Sequence, residues 1–248
     1  MLRTLAAFAC LALSLAPAAA IVGGALPGDE TVAPHVVLIS GTAGVCSGVA
    51  IASDLVLTAA HCVAKSGNYK LSVRDGNRMT TRNVESTAAH PQFAPRDDAP
   101  DVAVVKLAAK PPPKLTSVPF SDRRAPIAVG DRFIVAGFGL TDPANRRSAG
   151  KLRMATLVAT NRPNTQIINL VDPNTLGEKS GLGVCNGDSG GPVFEQRDGK
   201  LALIGIISWT AGPNGEPNCG FVSGIIPLPR YQFWIAETAT KLGSPLEP

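Results

Sequence analysis

From residue 32 onward the chain is a succession of short apolar runs cut by turn residues, the pattern of β-strands rather than helices. Val36-Val37-Leu38-Ile39, Gly48-Val49-Ala50-Ile51 and Leu55-Val56-Leu57 read as strands, with Ser40-Gly41 and Ser53-Asp54 as punctuation. Val102 to Leu107 is another apolar strand, and Phe133–Gly139, Lys151–Ala159 and Ala202–Trp209 repeat the pattern. Between the two groups lies Lys110-Pro111-Pro112-Pro113-Lys114, a stiff extended segment expected to connect two halves. Thr141 to Gly150 is polar and carries Arg146-Arg147, so an exposed loop open to nicking is expected. The period changes once: after Pro229, residues Trp234, Ile235, Thr238 and Leu242 share one face of an amphipathic helix. An all-β fold with a C-terminal α-helix at about 230–242 is predicted.

Composition narrows the classes. With 248 residues and 45% apolar content the chain can bury a substantial core. A formal charge of +4, with Lys and Arg scattered apart from pairs such as Arg123-Arg124, forms no basic stripe, so no nucleic-acid partner is expected. Arg3, the apolar run Leu5–Leu15, Pro17 and Ala18-Ala19-Ala20 fit a secretory signal over residues 1–20, which predicts a secreted or, in a bacterium, periplasmic protein. That run is short for a bilayer span, and no later stretch reaches about 18 apolar residues, so no membrane anchor is expected. Cys10 would leave with the signal. The other cysteines, Cys46, Cys62, Cys185 and Cys219, are an even set in an exported chain, which points to disulfides with three formal pairings. Without a Cys-x-x-Cys pair, zinc is the weaker reading, and neither metal nor organic cofactor is expected.

The candidate chemistry sits at Cys185-Asn186-Gly187-Asp188-Ser189-Gly190-Gly191-Pro192. A serine hydroxyl is a poor nucleophile unless a base and oxyanion donors accompany it. Glycines around Ser189 let the backbone take positive φ, so the amides of Gly187 and Ser189 can converge on one point. Two further motifs supply the partners: Leu57-Thr58-Ala59-Ala60-His61-Cys62, and Asp101 at the head of Val102–Leu107. A carboxylate starting an apolar strand needs donors for its oxygens, whereas Asp97 and Asp98, with no such strand behind them, read as a solvated loop. His35 and His90 lack comparable context.

Read in the order His61, Asp101, Ser189, the chain after residue 20 resembles the chymotrypsin-like serine endopeptidases. The resemblance implies two six-stranded antiparallel barrels, the first over about 21–110 and the second over about 115–228, with a substrate cleft between them. It implies an Asp101-oriented His61 as base, Ser189 as nucleophile, and Gly187 and Ser189 as the oxyanion hole. It pairs Cys46 with Cys62 and Cys185 with Cys219. Ile21-Val22-Gly23-Gly24 resembles the family's mature N-terminus, whose ammonium pairs with the aspartate before the serine, here Asp188. Because the alanines abut Ile21, signal removal alone, or with loss of one or two alanines, is expected to expose it.

The same resemblance sets the pocket. Gly183, six positions before Ser189, would lie at its base with no carboxylate to meet Lys or Arg. Val184 would line a wall, Gly220 the opposite side, and Ser208-Trp209-Thr210 the strand that pairs with extended substrate. Thr210, where cleavage after large side chains requires glycine, would narrow the entrance. An elastase-like preference for small or medium aliphatic residues is expected. His90-Pro91-Gln92-Phe93 is similar to the loop before the family's aspartate. Arg162–Leu182 is short and lacks the extra cysteine pair and helical insert of many members. Implied partners are polypeptide substrates and protein protease inhibitors, for a monomeric enzyme. Two rivals remain: a protease-fold binding protein without activity, and an esterase using the same three residues. The Ser, Asp, His chain order of α/β-hydrolases is absent.

Overall fold

The computed structural model describes residues 21–41, 44–75, 78–96, 99–108, 116–160, 166–215 and 218–246. The signal segment with Cys10, the Asp97-Asp98 pair, the proline-rich connector and the start of Arg162–Leu182 lie outside the described residues.

A two-residue strand, β1 (Leu26–Pro27), precedes β2 (Val36–Gly41), β3 (Gly44–Ala50), β4 (Leu55–Thr58), β5 (Lys70–Asp75), β6 (Arg78–Ala89) and β7 (Ala103–Leu107). Strands β2-β3-β4-β7-β6-β5 close into an antiparallel barrel. The second set is β8 (Arg132–Gly137), β9 (Arg153–Ala159), β10 (Ile168–Val171), β11 (Pro192–Arg197), β12 (Lys200–Ala211) and β13 (Val222–Pro227). Pairing in the order β9-β10-β13-β12-β11-β8, with β8 returning to β9, closes the second six-stranded barrel. A one-turn helix α1 (Ala60–Val63) and the C-terminal α2 (Gln232–Lys241) complete the fold.

Residues 21–27 go with the second barrel, not the first, where the sequence boundary had put them. Leu26 and Pro27 pair with Met154 and Arg153 of β9, and Val22 bridges Gly183. The first barrel proper begins at Val36.

Side-chain alternation explains why several strands read as unbroken apolar runs. In β2, β4 and β7, Val37, Ile39, Val56, Val105 and Leu107 fill the first barrel. Their neighbours Val36, Leu55, Leu57 and Val104 instead join Phe138, Phe194, Leu203, Ile206 and Ile226 in a core between the barrels. Both faces are buried, so both must be apolar. Phe133, Val135, Leu157, Leu170 and Ile204 fill the second barrel. Helix α2 adds Ile235 and Ala239 to the inter-barrel core. By contrast, none of β6 is fully buried, and its sequence shows no apolar run.

Candidate active site

The cleft between the barrels carries the three candidate side chains. Strand β4 ends at Thr58, Ala59 stays extended, and α1 buries Ala60, Cys62 and Val63, which turns His61 outward. Asp101 lies just ahead of β7 and is only 8% exposed. Its Oδ1 accepts the backbone N–H of His61 at 2.9 Å, and its Oδ2 lies 2.8 Å from His61 Nδ1. Burial pushes the Asp101 carboxyl up, but the His61 hydrogen bond and charge and the Ser208 hydroxyl outweigh it, so the group lies below its ordinary value.

Ser208 has a role that the sequence did not disclose. The register of β12 against β13 shifts between Ile207 and Trp209, a bulge that frees Ser208 from regular pairing. Its hydroxyl donates to Asp101 Oδ2 at 2.5 Å, and its carbonyl accepts the Ser189 hydroxyl at 3.3 Å. No hydrogen bond joins Ser189 to His61 in this structure. Both line one cavity of about 570 Å³, and Cys62 Sγ lies 3.7 Å from His61 Nε2. In a substrate-free site the bond between nucleophile and base is commonly long and tightens on binding.

The Ser189 loop is pinned on several sides. Gly190 N–H donates to Ile207 and Ile207 N–H to Gly191, which fixes the loop to β12. Gly190, at φ 79°, has no room for a side chain: a Cβ there would lie 2.0 Å from Thr58 Oγ1. Because a trans peptide is planar, its N–H points opposite its C=O. The Asn186 carbonyl accepts Leu140 N–H at 2.8 Å, so the Gly187 N–H faces away from Leu140. The Asp188 carbonyl accepts Gly191 N–H at 2.9 Å, so the Ser189 N–H likewise faces away from Gly191. Among the described residues neither amide donates to a protein acceptor.

Asp188 itself is fully buried, with Gly139 N–H on Oδ1 at 2.7 Å and Cys185 N–H on Oδ2 at 2.9 Å. Burial raises its carboxyl to about 7 against those two bonds. Ile21 is also fully buried, and Val22 N–H donates to the Gly183 carbonyl at 3.0 Å. Both disulfides form with the pairing that the resemblance implied, Cys46–Cys62 and Cys185–Cys219.

The cavity wall includes Val184, Ser208, Trp209, Thr210, Asn218 and Cys219. Gly183 and Gly220 do not line it. They are buried against each other, so that a Cβ on Gly183 would lie 2.8 Å from Gly220 Cα. The space behind Val184 and Cys219 is therefore backbone. The Thr210 hydroxyl donates to the Asn218 carbonyl at 2.7 Å and ties two walls together. Phe93 and Ala99 of the segment before Asp101 also line the cavity.

A second cavity of about 610 Å³ opens on the other side of His61 and Ser189, walled by Ile39, Tyr69, Leu140, Pro143 and Arg146. The Thr141–Gly150 segment, expected as a loop exposed to nicking, is held over this groove. Ser148 Oγ accepts the N–H groups of Thr141 and Asp142 and donates to the Asn145 carbonyl at 2.6 Å. His35 and His90 serve packing: His35 Nδ1 lies 2.6 Å from the Thr116 carbonyl, and the His90 ring lies 4.8 Å from Trp234. Among the described residues, the group close enough to share a metal ion is Cys46, His61 and Cys62. Its two sulfurs are already bonded to each other, which removes the thiolates a metal would need.

Comparison with known proteins agrees with this arrangement. The family model described as Trypsin matches residues 21–235. The chain is 26% identical over 211 residues to a trypsin of Sarcophaga bullata, covering 79% of this chain and 80% of that one. It is 27% identical over 220 residues to mouse kallikrein-8, covering 81% and 79%. Mouse vitamin K-dependent protein C is 29% identical over 204 residues, which cover 73% of this chain and 44% of that longer protein. The chain belongs to the trypsin family of serine endopeptidases.

Proposed function

We propose that the protein is an exported endopeptidase that cleaves peptide bonds with Ser189, His61 and Asp101. The observation that carries this reading is the double hold of Asp101 on His61, through the backbone N–H and Nδ1, in a cavity shared with Ser189. With Nδ1 donating to the carboxylate, Nε2 is the unprotonated nitrogen and can accept a proton. Ser189 Oγ attacks the substrate carbonyl carbon while its proton passes to Nε2. The resulting oxyanion takes hydrogen bonds from the Gly187 and Ser189 amides, one such donor being worth roughly 3 kcal/mol of barrier. As the C–N bond breaks, His61 gives its proton to the departing amine and an acyl-enzyme remains. Water then loses a proton to His61, attacks the ester and releases the acid. The signal-like residues 1–20 and the two disulfides support export.

A fluorophosphonate probe tests the reading. Labelling of the wild-type protein but not of Ser189→Ala, together with casein digestion, supports it. No labelling favours a binding protein, and labelling with ester but no casein turnover favours an esterase.

The pocket reading is elastase-like. Val184, Trp209 and the Cys185–Cys219 bridge give an apolar wall, the Thr210–Asn218 bond crosses it, and the Gly183–Gly220 contact blocks depth without offering a carboxylate. On matched peptide esters, kcat/KM is expected to favour Ala and Val over Phe and Arg by at least about 10-fold. A preference for Arg would overturn the pocket assignment.

Ile21 and Asp188 are proposed to pair once a cut frees the Ile21 ammonium. In the uncut chain the folded Asp188 carboxyl sits at about 7, above its ordinary 3.8. A raised acid favours folding fully only below 3.8, and that contribution is lost as pH rises through about 7. An ammonium partner removes this loss. Asp101 shifts the other way but does so in both forms and cancels. The stability advantage of protein starting at Ile21 over protein retaining Ala20 is therefore expected to widen from about pH 5 to about pH 7.5, read as urea midpoints. A constant gap would sink the pairing.

A further inference from the structure

A residue that grips the Ser189 loop at two points belongs to the other barrel and is not one of the three candidate catalytic side chains. Ser47, on β3 of the first barrel, is fully buried. Its N–H donates to the Ser189 carbonyl at 2.8 Å. Its hydroxyl donates to the Gly187 carbonyl at 2.9 Å and accepts the Phe138 N–H at 2.9 Å. Its own carbonyl accepts the Thr58 hydroxyl at 2.8 Å, which links it to the end of the strand that leads to His61. One side chain and its backbone thus tie β3, β4, the residue after β8 and the nucleophile loop together.

The hydroxyl matters because of what Gly187 is asked to do. Gly187 stands at φ 99°, a region its missing Cβ permits, and glycine is also the residue most free to leave it. The peptide before it carries the N–H that faces the reacting site, and the peptide after it carries the carbonyl that Ser47 grips. Leu140 fixes the first peptide and Ser47 the second, so both torsions of Gly187 are set from outside. Without the hydroxyl the second peptide keeps only the Asp188 N–H bond to the Cys185 carbonyl, at 3.0 Å, a hold from within the loop itself rather than from the other barrel. The Phe138 N–H would also lose its acceptor in a buried place, which favours local rearrangement there.

We propose that Ser47 is a positioning residue whose hydroxyl, reaching across from the first barrel, fixes the Gly187 N–H for the oxyanion. This rests on the proposed roles of Gly187 and Ser189 and adds to them a control held outside their loop. A positioning residue of this kind acts on the transition state and leaves ground-state binding alone.

The test is Ser47→Ala, with Ser47→Gly as a second variant lacking the same hydroxyl should the first fail to fold. Either is expected to lower kcat on a peptide ester about 10- to 100-fold with KM little changed, a fraction of the effect of losing one oxyanion donor outright. Affinity for a peptide aldehyde, whose adduct carries the oxyanion, is expected to fall by a similar factor, while affinity for the product peptide stays within about 2-fold. If a folded variant shows a lower Tm but unchanged kcat and aldehyde affinity, Ser47 is a packing residue and the inference fails alone. If the wild-type protein neither hydrolyses the ester nor binds the aldehyde, the functional reading fails and carries this inference with it.

Discussion

The Ser189→Ala protein is expected to fold normally and to lose about 10⁶-fold in kcat, the scale seen when a catalytic serine that works as one unit with its base is removed. The fold should tolerate the change. Ser189 is half-buried, and its hydroxyl makes a single hydrogen bond, to the Ser208 carbonyl at 3.3 Å. Losing it costs about 1 kcal/mol or less. The loop is held by backbone bonds from Gly190, Ile207 and Ser47 that alanine leaves in place. Circular dichroism and Tm should match the wild type while single-turnover rates collapse to a residue supported by the remaining donors. A variant that keeps more than about a hundredth of wild-type kcat would show that another group attacks the carbonyl.

Asp101→Asn is expected to lower kcat about 10⁴-fold near pH 7 with little change in KM. The His61 backbone N–H dictates how an asparagine would sit. It requires an acceptor at the Oδ1 position, so the amide oxygen goes there and the NH₂ takes the place of Oδ2. That NH₂ faces His61 Nδ1, which must then accept, and the ring proton moves to Nε2. An Nε2 already carrying a proton cannot take one from Ser189. The Ser208 hydroxyl, which now donates to Oδ2, would have to turn round and accept. Stability should fall modestly, whereas Ser189 labelling should slow by the same large factor as turnover. Unchanged labelling would show that Asp101 does not set the tautomer.

Much of the fold was legible because apolar runs mark strands buried on both faces. Val36–Ile39, Leu55–Leu57 and Val102–Leu107 stood out for that reason: alternate residues enter the first barrel and the inter-barrel core. Strand β6, with no such second partner, carries Arg, Thr, Asn and Glu along its length and left no comparable run. The attachment of residues 21–27 to the second barrel is a long-range pairing that local pattern does not encode.

At the site, the motifs around His61, Asp101 and Ser189 mark them as candidates, and the structure brings all three to one cavity. Ser208 and Ser47 were not given their parts, because a serine inside an apolar strand looks alike whether it packs or bonds. Their partners, Asp101 and Gly187, lie 107 and 140 positions away. The expected pocket glycines, Gly183 and Gly220, meet each other instead of the cavity. Sequence alignment with a family assigns positions but not the depth to which a backbone contact closes them.

The core shared by the two barrels has a consequence for how the protein can change over evolutionary time. Leu55, Leu57, Val104, Phe194, Leu203 and Ile226 are solvent-shielded only because the other half is present. Neither half could be traded, duplicated or shed as an independent module without baring a sticky face. The halves are therefore bound to drift together: a volume change on one side of the seam calls for an answering change on the other, and the candidate catalytic groups straddling that seam inherit its alignment.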